Sequence, residues 1–87
     1  MHYQSKQRAE MIEKAYRTIK KALQEKGYLK SYQLKPLVLS LGVNPLTAKS
    51  YIDTLVAQGK IIYGEYPDVY GYVYYLPENK PEDKTDD

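Results

Sequence analysis

The chain has 87 residues, a formal net charge of +2, no cysteine and a single histidine, His2. A chain of this length forms one small domain. Without cysteine it has neither a disulfide nor a Cys/His metal site, so packing alone must stabilise it. We expect an intracellular protein, because no apolar run approaches the roughly 20 residues of a membrane span and no signal-peptide pattern opens the sequence.

The charge changes sign along the chain. Residues 1–30 carry eight Lys or Arg against three Glu, whereas residues 77–87 carry two Lys against five acids. Those last residues also lack an apolar anchor, so we predict a disordered acidic tail after a folded domain at residues 1–76. A basic front half suits an anionic partner, although an ordinary solvated surface explains the same pattern.

The first predicted helix spans residues 5–26. Its apolar residues recur at helical spacing and are Ile12, Ala15, Tyr16, Ile19, Ala22 and Leu23. This helix is longer than a small domain needs, so we expect its first turns, with Tyr3 and Met11, to pack against a second copy. Tyr28 and Leu29 follow as a short strand that pairs with a later hairpin.

The second predicted helix spans about residues 32–41. Its core residues are Leu34, Val38 and Leu41. Pro36 complicates its start, because a proline inside a helix removes one backbone hydrogen bond. We therefore leave open whether Ser31 is the N-cap or the helix begins nearer Tyr32 or Gln33.

The third helix is predicted over residues 44–58, after a tight turn. Asn44 is a good N-cap followed by a proline at the first helical position, and Gly59 supplies a left-handed stop. The apolar face carries Ala48, Ile52, Leu55 and Val56. The opposite face carries Leu46, Lys49, Ser50, Asp53, Thr54 and Ala57. A lysine and short hydroxyl side chains form the kind of surface that enters a DNA major groove.

A β-hairpin is predicted after the third helix. Residues 60–66 and 69–76 favour strands and flank the turn signal Pro67-Asp68. Its core residues are expected to be Ile61, Val73 and one of Tyr74 and Tyr75. The chain has eleven Tyr but no Phe or Trp, so many rings must reach the surface with their hydroxyl groups in water.

Part of this sequence resembles the recognition helix and first wing strand of winged helix-turn-helix DNA-binding proteins. The residues that carry the resemblance are Gly42-Val43, Thr47-Ala48, Lys49, Ser50, Tyr51, Ile52, Leu55 and Gly59-Lys60-Ile61. The resemblance implies an α+β fold of three helices followed by a two-stranded hairpin wing, with the third helix in the major groove. Such proteins are common in archaea, their viruses and bacteria, and the charged, cysteine-free composition is compatible with a thermophilic source.

Sequence-specific binding of double-stranded DNA by a homodimeric transcriptional regulator is the leading interpretation. The residues assigned to DNA contact are Asn44, Thr47, Lys49, Ser50, Thr54, Tyr66 and Tyr70. In this interpretation Lys49 contacts a phosphate or a guanine edge, and the hydroxyl groups contact bases or backbone. Because His2 is the only histidine and the carboxylates are scattered, we expect no enzyme, cofactor, metal or small-molecule ligand.

Other interpretations remain open. In the alternative interpretation of the third helix, Lys49 only keeps the surface soluble, Thr47 belongs to the helix cap and Tyr51 is a core residue. Asp68 at the wing tip repels phosphate, which favours a protein-interaction module instead. Its docking surface would be a flat patch of Tyr63, Tyr66, Tyr70, Tyr72 and Tyr74, although strands favour tyrosine in any case. A third interpretation is non-specific or single-strand binding, with tyrosines stacked on bases.

Overall fold

The computed structural model describes the backbone of residues 2–81 and the side chains of residues 6–81. Its elements are α1 (His2–Lys26), α2 (Ser31–Leu39), α3 (Pro45–Ala57), β1 (Ile62–Tyr66), β2 (Val69–Tyr75) and one 3-10 turn (Pro77–Asn79). Three helices followed by an antiparallel hairpin confirm the predicted α+β winged helix-turn-helix fold. The 3-10 turn opens the segment predicted to be a disordered tail, and residues 82–87 of that prediction lie outside the described part.

Local sequence signals set both ends of α3. The Asn44 side-chain oxygen accepts a hydrogen bond from the Thr47 backbone N–H at 2.8 Å. At the other end Gly59 has a φ of +76°, which is a conformation that favours glycine. The Lys60 N–H then bonds to the Leu55 carbonyl at 2.9 Å and closes a Schellman motif. Both ends of α3 therefore confirm the prediction.

The start of α2 differs from the prediction. Lys30 is the N-cap and Ser31 is the first helical residue, so both predicted starts are wrong by a residue or two. The reason is Gln33, whose side-chain oxygen accepts from the Lys30 N–H at 2.9 Å. This bond makes Lys30 the N-cap, one residue before Ser31. Pro36 stays inside α2, which ends at Leu39 rather than at residue 41.

One apolar core joins the helices to the hairpin. Its buried members are Ala15, Ile19, Leu23, Leu29, Leu34, Val38, Ala48, Tyr51, Ile52, Leu55, Ile61 and Leu76. Val73 and Tyr75 are also buried, and the half-buried Tyr74 packs against the same core, so both tyrosines rather than one are used on the hairpin side. Met11 packs against the same core. Its apolar surface, predicted to meet a second copy, is therefore used within the chain, while the Tyr3 side chain lies outside the described residues.

The hairpin is attached to the helices through one β-bridge. Leu29 and Tyr74 exchange backbone hydrogen bonds of 3.0 and 2.8 Å, which confirms the predicted pairing of the short strand. The register of the hairpin shifts after Glu65, where β2 contains extra residues and Gly71 has a φ of +84°. This bulge lies beside Tyr70, which is 95% exposed.

Candidate nucleic-acid interface

The exposed side of α3 is a narrow ridge. It consists of Leu46, Ser50, Asp53 and Ala57, which lie within about 60° of arc at the helical repeat. Leu46 at one end is 81% exposed, while Leu55 on the opposite face is completely buried. Apolar groups can contact a thymine methyl, a serine hydroxyl can pair with any base, and a carboxylate can accept from the cytosine amino group. The ridge thus carries side chains for base contacts but no cation.

Lys49 lies on the edge of this ridge that faces the hairpin. Its ammonium donates to the Asp53 carboxylate at 2.8 Å, and the two side chains are 63% and 60% exposed. The hydrogen bond with Asp53, followed by the charge of that carboxylate, raises the pKa of Lys49 above its ordinary value. Lys49 is therefore charged at neutral pH. Because an exposed ion pair of this kind is weak, a phosphate can replace the carboxylate at little cost.

Ser50 lies toward the opposite edge, where α1 reaches α3. Arg8 Nη2 donates to the Ser50 hydroxyl at 2.8 Å, and the guanidinium carbon lies 5.4 Å from the centroid of the Tyr51 ring. Ser50 is consequently half-buried rather than fully offered to a partner, and Tyr51 belongs to the core. The sequence does not indicate Arg8, because it meets Ser50 from 42 residues away and no local pattern predicts that contact.

The other predicted contact residues of α3 are partly used by the fold. Asn44 is exposed, but its side-chain oxygen caps the helix. Thr47 and Thr54 are half-buried on the edge that α1 approaches. These residues lie beside the ridge rather than on it, and the ridge itself includes Leu46 and Asp53, which were not among the predicted contacts. Helical spacing alone identifies both of them as exposed.

The two wing tyrosines predicted to contact DNA differ in position. Tyr66 is half-buried, with its ring 5.4 Å from that of Tyr28 and 5.0 Å from that of Tyr75. Tyr70 is almost completely exposed, and its carbonyl accepts from the Lys30 ammonium at 3.2 Å. Tyr66 is therefore committed to packing, while Tyr70 is available at the surface.

The face of the hairpin that carries Tyr63 holds a smaller aromatic cluster than predicted. The Tyr63 ring lies 5.3 Å from Tyr72 and 4.5 Å from Tyr74. Alternation along the strands directs Tyr66 to the other face. Tyr63, Tyr72 and Tyr74 therefore cluster on one face while Tyr66 lies on the other, so the five tyrosines do not form one flat patch.

Two grooves flank α3. One, of about 440 Å³, lies between α2, α3 and the hairpin and has Ile52, Val56 and the Tyr63 and Tyr74 rings among its walls. Its volume falls in the range of small-molecule sites, about 300–1,000 Å³, whereas the sequence indicated no pocket. Burial raises the pKa of Tyr74, and a hydrogen bond with Ser31 opposes that shift. The second groove, of about 500 Å³, lies between α1 and Tyr51 of α3.

No family model, curated protein or solved structure matches this chain. Within residues 2–81 no helix is long and apolar enough to cross a bilayer. The same described part of the chain contains no group of three or more His, Cys, Asp or Glu that could hold a metal ion. A functional assignment therefore depends on the geometry around α3.

Proposed function

We propose that the protein binds double-stranded DNA as a transcriptional regulator, with α3 in the major groove. The observation that carries this proposal is the exposed ridge of α3, which stands opposite a fully buried face. A major groove about 12 Å wide admits one α-helix. A ridge of apolar, hydroxyl and carboxylate groups has partners on base edges, which is what sequence-specific recognition requires.

Phosphate contacts in this proposal come from Lys49 and from the first turn of α3. Lys49 is charged and exposed at the edge of the ridge. The unpaired backbone N–H groups at the start of a helix add partial positive charge that favours phosphate. Base contacts along the ridge then supply the specificity, and the cationic edge supplies affinity that depends on salt.

We further propose that the regulator acts as a homodimer on a pseudo-palindromic site. A single α3 offers few phosphate contacts, so one copy binds loosely and two copies double those contacts. Half-sites one helical turn apart require the two α3 helices to lie about 34 Å from each other. Because Met11 is half-buried against its own core, the dimer contact draws mainly on other surfaces of α1 or the hairpin.

An anisotropy titration of labelled random duplex DNA tests the proposal. At about 50 and about 200 mM salt we expect binding that weakens with salt, with a log-log slope of about 0.9 for each phosphate contact. Lys49→Ala should flatten that slope by about one unit. Lys21→Ala is the matched control, because Lys21 is an exposed lysine near the far end of α1. No duplex affinity at low salt would reject the function, and unchanged binding by Lys49→Ala with Ser50→Ala would exclude α3 from the interface.

Docking of a protein partner is the second candidate function. It is favoured by large exposed side chains, namely Leu46 at 81%, Tyr63 at 44% and Tyr72 at 55% exposure. Tyrosine is enriched in protein interfaces, and such rings lose little entropy on binding. This candidate predicts no measurable duplex affinity near physiological salt, so the titration at about 200 mM salt separates it from the first.

A further inference from the structure

The hairpin and the first half of α1 carry opposite charge. Residues 61–76, which include the hairpin, contain Glu65 and Asp68 but no Lys or Arg. Residues 6–14 of α1 contain Lys6, Arg8 and Lys14 against Glu10 and Glu13. Glu13 already pairs with Arg17 at 3.4 Å, on the same helix. A polyanion that reaches α3 is therefore repelled from the wing tip, while Arg8 and Lys14 attract it on the α1 side and Lys35 and Lys49 in the groove on the other side.

Arg8 is held in place before any ligand arrives. It is exposed, yet its guanidinium bonds to the Ser50 hydroxyl and lies over the Tyr51 ring. A guanidinium has five N–H donors in a planar fork, so one bond to serine leaves donors for a second acceptor. An arginine fixed in this way loses less conformational entropy when it binds an anion than a mobile one does.

The groove beside Arg8 has the charge and size to accept a phosphodiester. Its walls include Arg8, Lys14, Glu10 and Tyr51, and its volume is about 500 Å³. Two cations against one carboxylate leave the groove a net positive charge. Lys14 is exposed, so its ammonium can turn toward a phosphate at the groove's mouth.

We propose that the groove between α1 and α3 binds the DNA backbone, with Arg8 and Lys14 contacting phosphate. This inference rests on the proposed duplex-binding function and adds its orientation: α1, rather than the wing, flanks α3 on the DNA. Arg8 and Lys14 of α1 thereby make the contact with the DNA backbone beside α3 that the acidic wing tip does not make. Arg8 fixes the position of α1 against α3 through Ser50, so base and backbone contacts stay in register.

The test is the salt-dependent duplex titration of wild type, Arg8→Ala, Lys14→Ala and the control Lys21→Ala. We expect Arg8→Ala to weaken binding about tenfold at low salt, the loss of one charge-assisted hydrogen bond. Each of Arg8→Ala and Lys14→Ala should also lower the log-log slope by about one unit. Lys21→Ala should leave both quantities unchanged. Circular dichroism of each variant checks that α1 stays folded.

Ser50→Ala separates phosphate contact from a purely structural role for Arg8. It removes the same hydrogen bond but keeps the arginine charge, so the slope should remain that of wild type. Arg8→Lys should likewise keep the slope and lose part of the affinity, because an ammonium cannot reproduce the planar fork. A slope change in Ser50→Ala equal to that in Arg8→Ala would contradict direct phosphate contact.

The remaining outcomes are also decisive. Wild-type binding together with Arg8→Ala and Lys14→Ala variants that match Lys21→Ala would overturn the inference and leave the proposed function intact. Tighter binding by Arg8→Ala would overturn it too, because Arg8 would then shield α3. An absence of wild-type binding at low salt would reject the function itself. A steeper slope with tighter binding in Asp68→Lys would place the wing tip on the backbone and contradict the orientation.

Discussion

Asp53 limits how strongly α3 attracts a polyanion. Its carboxylate lies on the ridge and holds the Lys49 ammonium at 2.8 Å, so the only lysine of α3 is partly neutralised by its neighbour one turn away. On DNA the carboxylate either faces a cytosine amino group or repels the backbone. Random sequence offers the favourable base only occasionally, so repulsion should dominate there.

We therefore expect Asp53→Asn to strengthen binding to random duplex. The change removes a negative charge from the ridge and frees Lys49 for phosphate, while the amide keeps the shape of the side chain. Anisotropy at low salt measures the effect, and Glu65→Gln, an exposed carboxylate of β1, is the matched control. Weaker binding by Asp53→Asn than by Glu65→Gln would mean that the carboxylate itself contacts DNA favourably.

At the scale of elements, the ends of α3 were predictable because their signals are local. Asn44 caps within three residues and Gly59 stops the helix next to its end. The Lys49–Asp53 pair could also be inferred from the sequence, since a spacing of four residues places two side chains together on a helix. The start of α2 was predicted wrongly because the Gln33 side-chain oxygen accepts from the Lys30 N–H. The prediction considered Ser31 as the cap and not this bond.

Side-chain contacts between distant segments could not be predicted, unlike the backbone pairing of Leu29 with the hairpin. Arg8 meets Ser50 only after α1 has packed across α3, so no spacing along the chain announces it. The sequence also predicted that only one of Tyr74 and Tyr75 closes the core. Tyr75 lies on the face of β2 that carries Val73, whereas Tyr74 packs against the core from the other face, at the position that bridges to Leu29.

The bulge in β2 makes the hairpin sensitive to Gly71. We expect Gly71→Ala to lower the free energy of unfolding by about 1–2 kcal/mol, because its φ of +84° is costly for a residue with a side chain. Urea denaturation measures this. Gly64→Ala is the control within the same hairpin: its φ is ordinary, and an added methyl would meet the Tyr75 hydroxyl at an unstrained 3.7 Å. Equal losses in both variants would contradict a conformational role for Gly71.

Tyr74 of β2, which contacts Ser31 of α2, should make the fold less stable at alkaline pH. Burial raises the pKa of Tyr74 above its ordinary 10.0, so the folded state holds this proton more tightly than the unfolded state. Its contribution to stability is complete below pH 10.0 and falls as the pH rises through the folded pKa. The raised pKa of Lys49 acts in the same direction, above its ordinary 10.5.

We expect Tyr74→Phe to lose less stability than wild type on transfer from neutral to alkaline pH. The variant lacks the buried phenol, whereas the other tyrosines titrate in both proteins. Urea denaturation at both pH values measures the difference, with Tyr70→Phe as a control because Tyr70 is almost completely exposed. An alkaline loss in Tyr74→Phe equal to that of wild type would show that this phenol is not linked to folding.

At the scale of the whole molecule, the fold presents α3 between two unlike flanks. α1 brings Arg8 and Lys14 to one side, and the groove on the other side combines Lys35 and Lys49 with the Tyr63 and Tyr74 rings. In the proposed complex α1 and Lys49 therefore contact the duplex, and the wing tip around Asp68 stays off the backbone.

The most direct measurement of the central claim is amide NMR of labelled protein during titration with random duplex DNA. We expect shifts and line broadening in residues 46–57 of α3 and 6–14 of α1, with residues 66–70 at the wing tip unaffected. The perturbations should disappear as salt is raised, because counterion release drives the association. Perturbations confined to the hairpin, or none at low salt, would contradict it.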